Sequence, residues 1–191
     1  MNNIGKSIEK SSIIEPSDFY EVSIGIKEKL NKKIKDVKLL YRASRDGDGN
    51  EFHIKCDGIK NTVTFVKSIN KRRFGGFANK EWNSNDIYIS DPNAFLFSLD
   101  NHECYYFNSN YNMNQGFNRN MGYNNRNMNS IFCSYNNGPI WGNNNSYDLL
   151  ISFGCLSNNN SRTNQYSYNY KGRIQALSGE NNFQIEDYEI Y

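Results

Sequence analysis

The sequence predicts a mainly β domain that carries one amphipathic helix near its N-terminus. Two patterns and one number lead there. Apolar residues step by three and four over a single stretch, Ser17 to Val37. From Thr62 onward, short runs rich in β-branched and aromatic residues recur between turn signals. Aromatics make up 15% of the chain, which argues against wholesale disorder. A length of 191 residues gives one domain as the prior, large enough to bury a core without a disulfide or metal. The apolar fraction is only 37%, and the shortfall is filled by 33 asparagines rather than by charge. With 22 Lys and Arg against 20 Asp and Glu, the net charge is +2, so the chain is neither a supercharged nucleic-acid binder nor an acidic tail. No apolar run reaches the ~18 residues of a membrane span. Met1 to Lys10 lack the apolar core of a secretory signal. A soluble cytoplasmic chain is expected, with a disordered terminus over residues 1–12 and one domain over 13–191.

In the helix, Phe19, Val22, Ile26, Leu30, Ile34 and Val37 form one stripe, and Asp18 followed by Glu21 resembles a capping box. The opposite face holds Lys27, Lys29, Lys32, Lys33 and Lys35. It reads as a solvated face in preference to one that lies on a membrane or an acidic partner, because the interfacial type sets Trp, Phe and Leu opposite its bases. Thr62–Val66 suits a pleated, half-buried surface. The polar turn Asn70–Arg73 joins it to Phe74-Gly75-Gly76-Phe77 as a hairpin, where the paired glycines point to a bulge or a close backbone approach. Asp91-Pro92-Asn93 is a turn that leads into a strand with Phe95, Phe97 and Leu99 on one face. Asn108–Asn129 contains no acid and only two bases, and reads as a disordered low-complexity insertion. A second polar tract runs from Ser157 to Asn169, and strands are expected over Ser130–Tyr135 and Asp148–Phe153. At the C-terminus Phe183 and Ile185 alternate in one phase while Tyr188 and Ile190 alternate in the other. A single strand needs a bulge near Asp187 to hold all four on one side.

Few residues assemble into chemistry. Asp46, Asp48, Asn50 and Asp57 have calcium-loop spacing from Asp46, but Glu51 stands where glycine is needed and Asp57 where a bidentate Glu is needed, so a polar turn is the better reading. Phe52 and Cys56 look like one side of a short helix. Cys56, Cys104, Cys133 and Cys155 form no CxxC pair and are expected as reduced, buried or half-buried thiols. His53 with Cys56, and His102 with Cys104, lack zinc-knuckle spacing; a core Cys beside a surface His is the simpler reading. Nothing in the spacing favours a Cys-His-Asp system, and GxSxG, GxxxxGK[ST] and HExxH are absent. Arg119 and Arg126 among aromatics are too few charges for RNA binding to be preferred over a spacer.

The collinear blocks themselves resemble a known family. Leu39-Leu40-Tyr41-Arg42-Ala43-Ser44-Arg45-Asp46-Gly47, Phe52-His53 and Lys55-Cys56-Asp57-Gly58 resemble the opening of a TLDc domain, the module of the oxidation-resistance protein family. The likeness continues through Thr62–Ser68, Phe74–Phe77, Trp82, Asp91–Leu99, Gly138–Gly142 and Asp148-Leu149 to Phe183–Tyr191. It covers roughly Ile13 to Tyr191. Two departures are the Asn143–Tyr147 stretch, where the family often carries a Gly-His pair, and the long insertion. The resemblance implies a mainly β (α+β) fold, a β-sandwich of two antiparallel sheets flanked by the N-terminal amphipathic helix and short helices. It implies a non-enzymatic interaction module without cofactor or metal, active in oxidative-stress resistance, whose protein partner is the peripheral part of the vacuolar proton-pumping ATPase. A monomer is expected, reaching the vacuolar or endolysosomal membrane through that partner, with no nucleic acid involved. The motif residues are Leu40, Tyr41, Arg42, Phe52, Cys56, Gly75, Gly76, Phe95, Phe97, Gly138, Gly142, Asp148 and Glu189. The rival readings are a thiol-dependent stress-response enzyme centred on Cys56, and an RNA-binding role for the Asn-rich tract.

Overall fold

A computed structural model describes residues 11–47, 49–107, 130–132, 137–143, 146–165, 167–173 and 175–191. The expected disorder of Met1–Lys10 and of Asn108–Asn129, the RNA-binding reading of that tract, and the expectations for Asp48 and Cys133 lie outside these residues.

The chain folds as the expected sandwich of two antiparallel sheets. The first sheet has the order β1 (Tyr41–Arg42), β12 (Ile185–Ile190), β2 (Thr62–Ser68), β3 (Arg73–Ala78), β5 (Phe95–Ser98), β6 (Glu103–Tyr106). The second runs β11 (Asn182–Phe183), β10 (Ser161–Thr163), β9 (Ser146–Ser152), β8 (Asn137–Asn143), β7 (Ser130–Phe132), β4 (Ile89–Ser90). Helix α1 (Pro16–Leu30) covers the outer face of the first sheet, and two short helices, α2 (Ala43–Asp46) and α3 (Asn50–Cys56), follow β1. Two cores result. The inter-sheet core contains Tyr41, Phe52, Trp82, Trp141, Leu149, Phe183, Tyr188 and Ile190, among others. The outer core packs Phe19, Val22 and Ile26 of α1 on Val63, Phe65, Phe77, Phe95, Phe97 and Tyr191.

Because both its faces are covered, β2 is buried along almost its whole length rather than half-buried as its β-branched and aromatic composition suggested. Its hairpin with β3 keeps a continuous register from Thr62↔Ala78 to Lys67↔Arg73, without a bulge at the glycines. They are needed for close approach instead. A Cβ on Gly75 would stand 1.8 Å from the Thr64 carbonyl oxygen, and one on Gly76 would stand 2.5 Å from the Trp141 ring of the other sheet.

Three boundaries differ from expectation. Helix α1 ends at Leu30, where Asn31 takes a left-handed conformation (φ 50°) and donates its N–H to the Lys27 carbonyl. Ile34 and Val37 still pack against the outer core, but from a non-helical segment, so the apolar spacing outlasts the helix. The cap also lies three residues earlier: Glu15 is the N-cap, and its N–H donates to Asp18 Oδ2 at 2.9 Å. The polar Ser157–Asn169 tract contains a strand, β10, whose Ser161 and Thr163 are buried.

The C-terminal bulge is present, with the register of β12 on β2 shifting between Ile185 and Asp187. Phe183 precedes it on β11, in the other sheet, so the chain changes sheets at Gln184 instead of running as one strand. All four apolar residues nonetheless reach the inter-sheet core.

Candidate functional site

The densest polar construction lies where both described ends of the chain meet. Strand β1 pairs with β12 so that Arg42 stands opposite Glu189. Alternation along β12 turns Tyr188 and Ile190 into the inter-sheet core and leaves Asp187, Glu189 and Tyr191 on the opposite side. Glu189 is fully buried. Its Oε1 accepts from Arg42 Nε at 2.7 Å, from Arg42 Nη2 at 2.6 Å and from the Ser12 N–H at 2.9 Å. Its Oε2 accepts from Ser11 Oγ at 2.5 Å and from the Tyr191 hydroxyl at 3.0 Å. Asp187 accepts from the Ser44 N–H at 3.0 Å, from Ser44 Oγ at 2.6 Å and from Ser12 Oγ at 2.9 Å. Burial of the Tyr191 phenol pushes its pKa up, which keeps it a donor to Glu189.

A second carboxylate supports the first. Asp46, closing α2, accepts from the Arg42 N–H at 2.9 Å and from Arg45 through Nε at 2.8 Å and Nη2 at 2.6 Å, with Lys55 Nζ at 3.3 Å. The hydrogen bond from Arg45 holds its carboxyl far below the usual carboxylate range. Asp46 therefore works as the anchor of a salt-bridged turn. Asp57, the expected twelfth position of a calcium loop, pairs instead with His53 at 3.2 Å.

Residues 11–14 form a strap across this site. Ser11 Oγ accepts the N–H groups of Ile13 and Ile14 at 3.0 and 2.9 Å, and both isoleucines are buried in the outer core. Ser11 and Ser12, expected within the disordered terminus, are thus tied to the C-terminal strand. Their partners lie 178 and 177 residues away, and no local pattern announces such a pairing. Ser44 and Asp187 stood in the family blocks without an assigned role, and the structure supplies it.

The motif residues divide among separate places. The Tyr41 hydroxyl donates to the Gly47 carbonyl at 2.6 Å, and its ring meets Phe52 edge-on at 6.1 Å, with Leu40 packed at the margin of that core. Phe95 and Phe97 belong to the outer core. Asp148 lies in another network, accepting the N–H groups of Ser167 and Tyr168 at 3.0 and 3.2 Å. On the same hairpin, Gly138 packs against Ile151, and Gly142 has a φ of +133°. Only Arg42 and Glu189 meet in the polar site.

Cys56 is fully buried on α3, and burial pushes its thiol up to about 12. A thiolate nucleophile requires the opposite environment, an exposed sulfur with a depressed pKa. Cys104, half-buried under α1, is raised to about 11 for the same reason. His53, expected at the surface beside Cys56, is buried, with Nε2 3.2 Å from the Asn137 carbonyl oxygen. His102 is exposed and pairs with Glu21 at 2.8 Å. Outside the cores, large apolar side chains reach solvent at Tyr20 and Ile24, one turn apart on α1, and at Ile54 and Phe153. Among the described residues, no helix is long and apolar enough to cross a membrane.

A comparison with curated proteins found no match. The family model of the TLDc domain matches residues 7–191, a span that takes in both sheets, α1 and the strap, and the chain therefore belongs to the TLDc domain family.

Proposed function

We propose that the chain is a non-catalytic protein-interaction module of the oxidation-resistance type, and that its partner is the peripheral part of the vacuolar proton-pumping ATPase. The observation that carries this reading is the family match over residues 7–191. The placement of the motif residues agrees with it. Arg42, Glu189, Tyr41, Phe52 and Cys56 are consumed by holding the fold, which supports a reading in which recognition belongs to the surface. Tyr20 (68% exposed) and Ile24 (46% exposed), one turn apart on the outer face of α1, offer apolar side chains of the kind that partners cover.

Capture from a cell lysate with the tagged full chain tests the reading. Peripheral ATPase subunits are expected to be enriched, and Tyr20→Ser with Ile24→Ser is expected to lower their recovery at unchanged melting temperature. A folded bait that enriches none of these subunits contradicts the proposal.

A further inference from the structure

We infer that Ser12 is a phosphorylation site for an acidophilic serine kinase, and that its phosphate releases the strap of residues 11–14 from β12. Ser12 is exposed although its hydroxyl is engaged, and Glu15, three residues further on, is exposed as well. An acid at that spacing is what a kinase reads with a basic recognition pocket. The strap is a short non-helical segment ahead of α1, so a kinase can take it in extended form once it lifts.

The consequence follows from proton bookkeeping at one oxygen. Ser12 Oγ has a single hydrogen, facing Asp187 Oδ2 at 2.9 Å and Glu189 Oε1 at 3.1 Å. In the transfer, a bond forms between Oγ and the γ-phosphorus of ATP while the bond to the β–γ bridging oxygen breaks. The hydroxyl proton leaves to solvent and ADP departs. Oγ then has no hydrogen to donate. The group attached to it carries about −1.5 to −2 charge and faces two buried carboxylates. Among the described residues, Arg42, which shares Glu189 Oε1 with Ser12, is already committed to that carboxylate through both Nε and Nη2. Arg45 and Lys55 are committed to Asp46. Like-charge repulsion and the lost donor act in the same direction, outward. Ile13 and Ile14 leave the outer core with the strap.

The test treats the full chain with ATP and a serine kinase that prefers an acid three residues after the acceptor. Mass spectrometry maps the site, and hydrogen exchange reads the amides of Ile13 and Ile14. One phosphate on Ser12 is expected, added more slowly to Glu15→Gln. Exchange at both amides should rise roughly tenfold or more, as for a segment detached from its packing. Ser12→Ala keeps the backbone N–H bond to Glu189 and should raise exchange less than the phosphate does. Absence of phosphate on Ser12, its appearance only on another residue, or unchanged exchange in the Ser12-phosphorylated chain (the result if Arg42 turned to capture the phosphate) would each overturn the inference.

Discussion

Strand β12 has two faces that depend on different physics. Toward the second sheet, Tyr188 and Ile190 join a core of aromatic and aliphatic side chains, with Tyr188 5.0 Å from the Tyr41 ring. That energy is spread over many weak contacts, so volume and shape decide what is tolerated. On the other face, Asp187 and Glu189 gather Arg42, Ser11, Ser12, Ser44 and Tyr191. There the energy is concentrated in a few charge-assisted bonds, and the loss of one partner strands another. One short strand thus closes the core and pins the N-terminal strap.

The largest effect is expected when both faces go together. Removing Asn182–Tyr191 strips Phe183, Ile185, Tyr188 and Ile190 from the core, at about 2–5 kcal/mol for each truncated side chain. The sum, about 8–20 kcal/mol, is as large as the roughly 5–15 kcal/mol that holds a domain folded. The truncated chain should be insoluble or molten by circular dichroism and dye binding, and cooperative unfolding would show that this strand is dispensable.

Next comes the polar face alone. Glu189→Gln preserves volume but removes the carboxylate charge that faces Arg42, and the loss should be about 3 kcal/mol or more in urea melts. A change below about 0.5 kcal/mol, the usual range for an uninvolved surface position, would mean that the pair is not under load.

Packing elsewhere in the sandwich is probed by the paired glycines of β3. Gly75→Ala drives a methyl against the Thr64 carbonyl, a backbone atom held by the hairpin, whereas Gly76→Ala meets the ring of Trp141. Trp141 is itself fixed, donating Nε1–H to the Phe77 carbonyl at 3.1 Å and meeting Trp82 edge-on at 5.3 Å. Overpacking costs about 1–3 kcal/mol, and Gly75→Ala should be the more costly of the two. The reverse order would place the strain between the sheets rather than within the hairpin.

How much of this was legible follows the same division. The hairpin, the Phe95–Phe97 face, the α1 stripe and the C-terminal bulge were readable, because alternation and helical spacing report which side of an element is buried. The end of α1 was not: no Gly or Pro marks it, and Ile34 and Val37 continue the apolar spacing from a non-helical segment. Strand β10 was hidden because its buried residues are Ser161 and Thr163, satisfied by hydroxyl partners such as Ser152 and Ser178 rather than by apolar contact. The polar site was half readable. Arg42 and Glu189 stood in the family blocks, but Ser11 and Ser12 find their partners only through the fold.

The smallest expected effect is a pH dependence. The carboxyl of Asp46 is depressed in the folded state by Arg45. Its stabilisation is therefore present above the unfolded value, near 3.9, and is lost as pH falls below that toward the folded value. Asp46→Asn should lower the melting temperature at pH 7, and the gap to the parent should narrow as the buffer is taken below about pH 4. A gap that stays constant across that range would assign the loss to something other than charge.

The central claim is that Glu189 fastens β12 to β1 through a largely buried charge pair with Arg42, and a double-mutant cycle tests it most directly. Urea melts of the parent, Arg42→Met, Glu189→Gln and the double variant give the coupling energy. Each single variant should lose more than the double variant does beyond it, with a coupling of about 1–3 kcal/mol. Additive losses, with a coupling near zero, would contradict the account and leave Arg42 and Glu189 as independent contributors to packing.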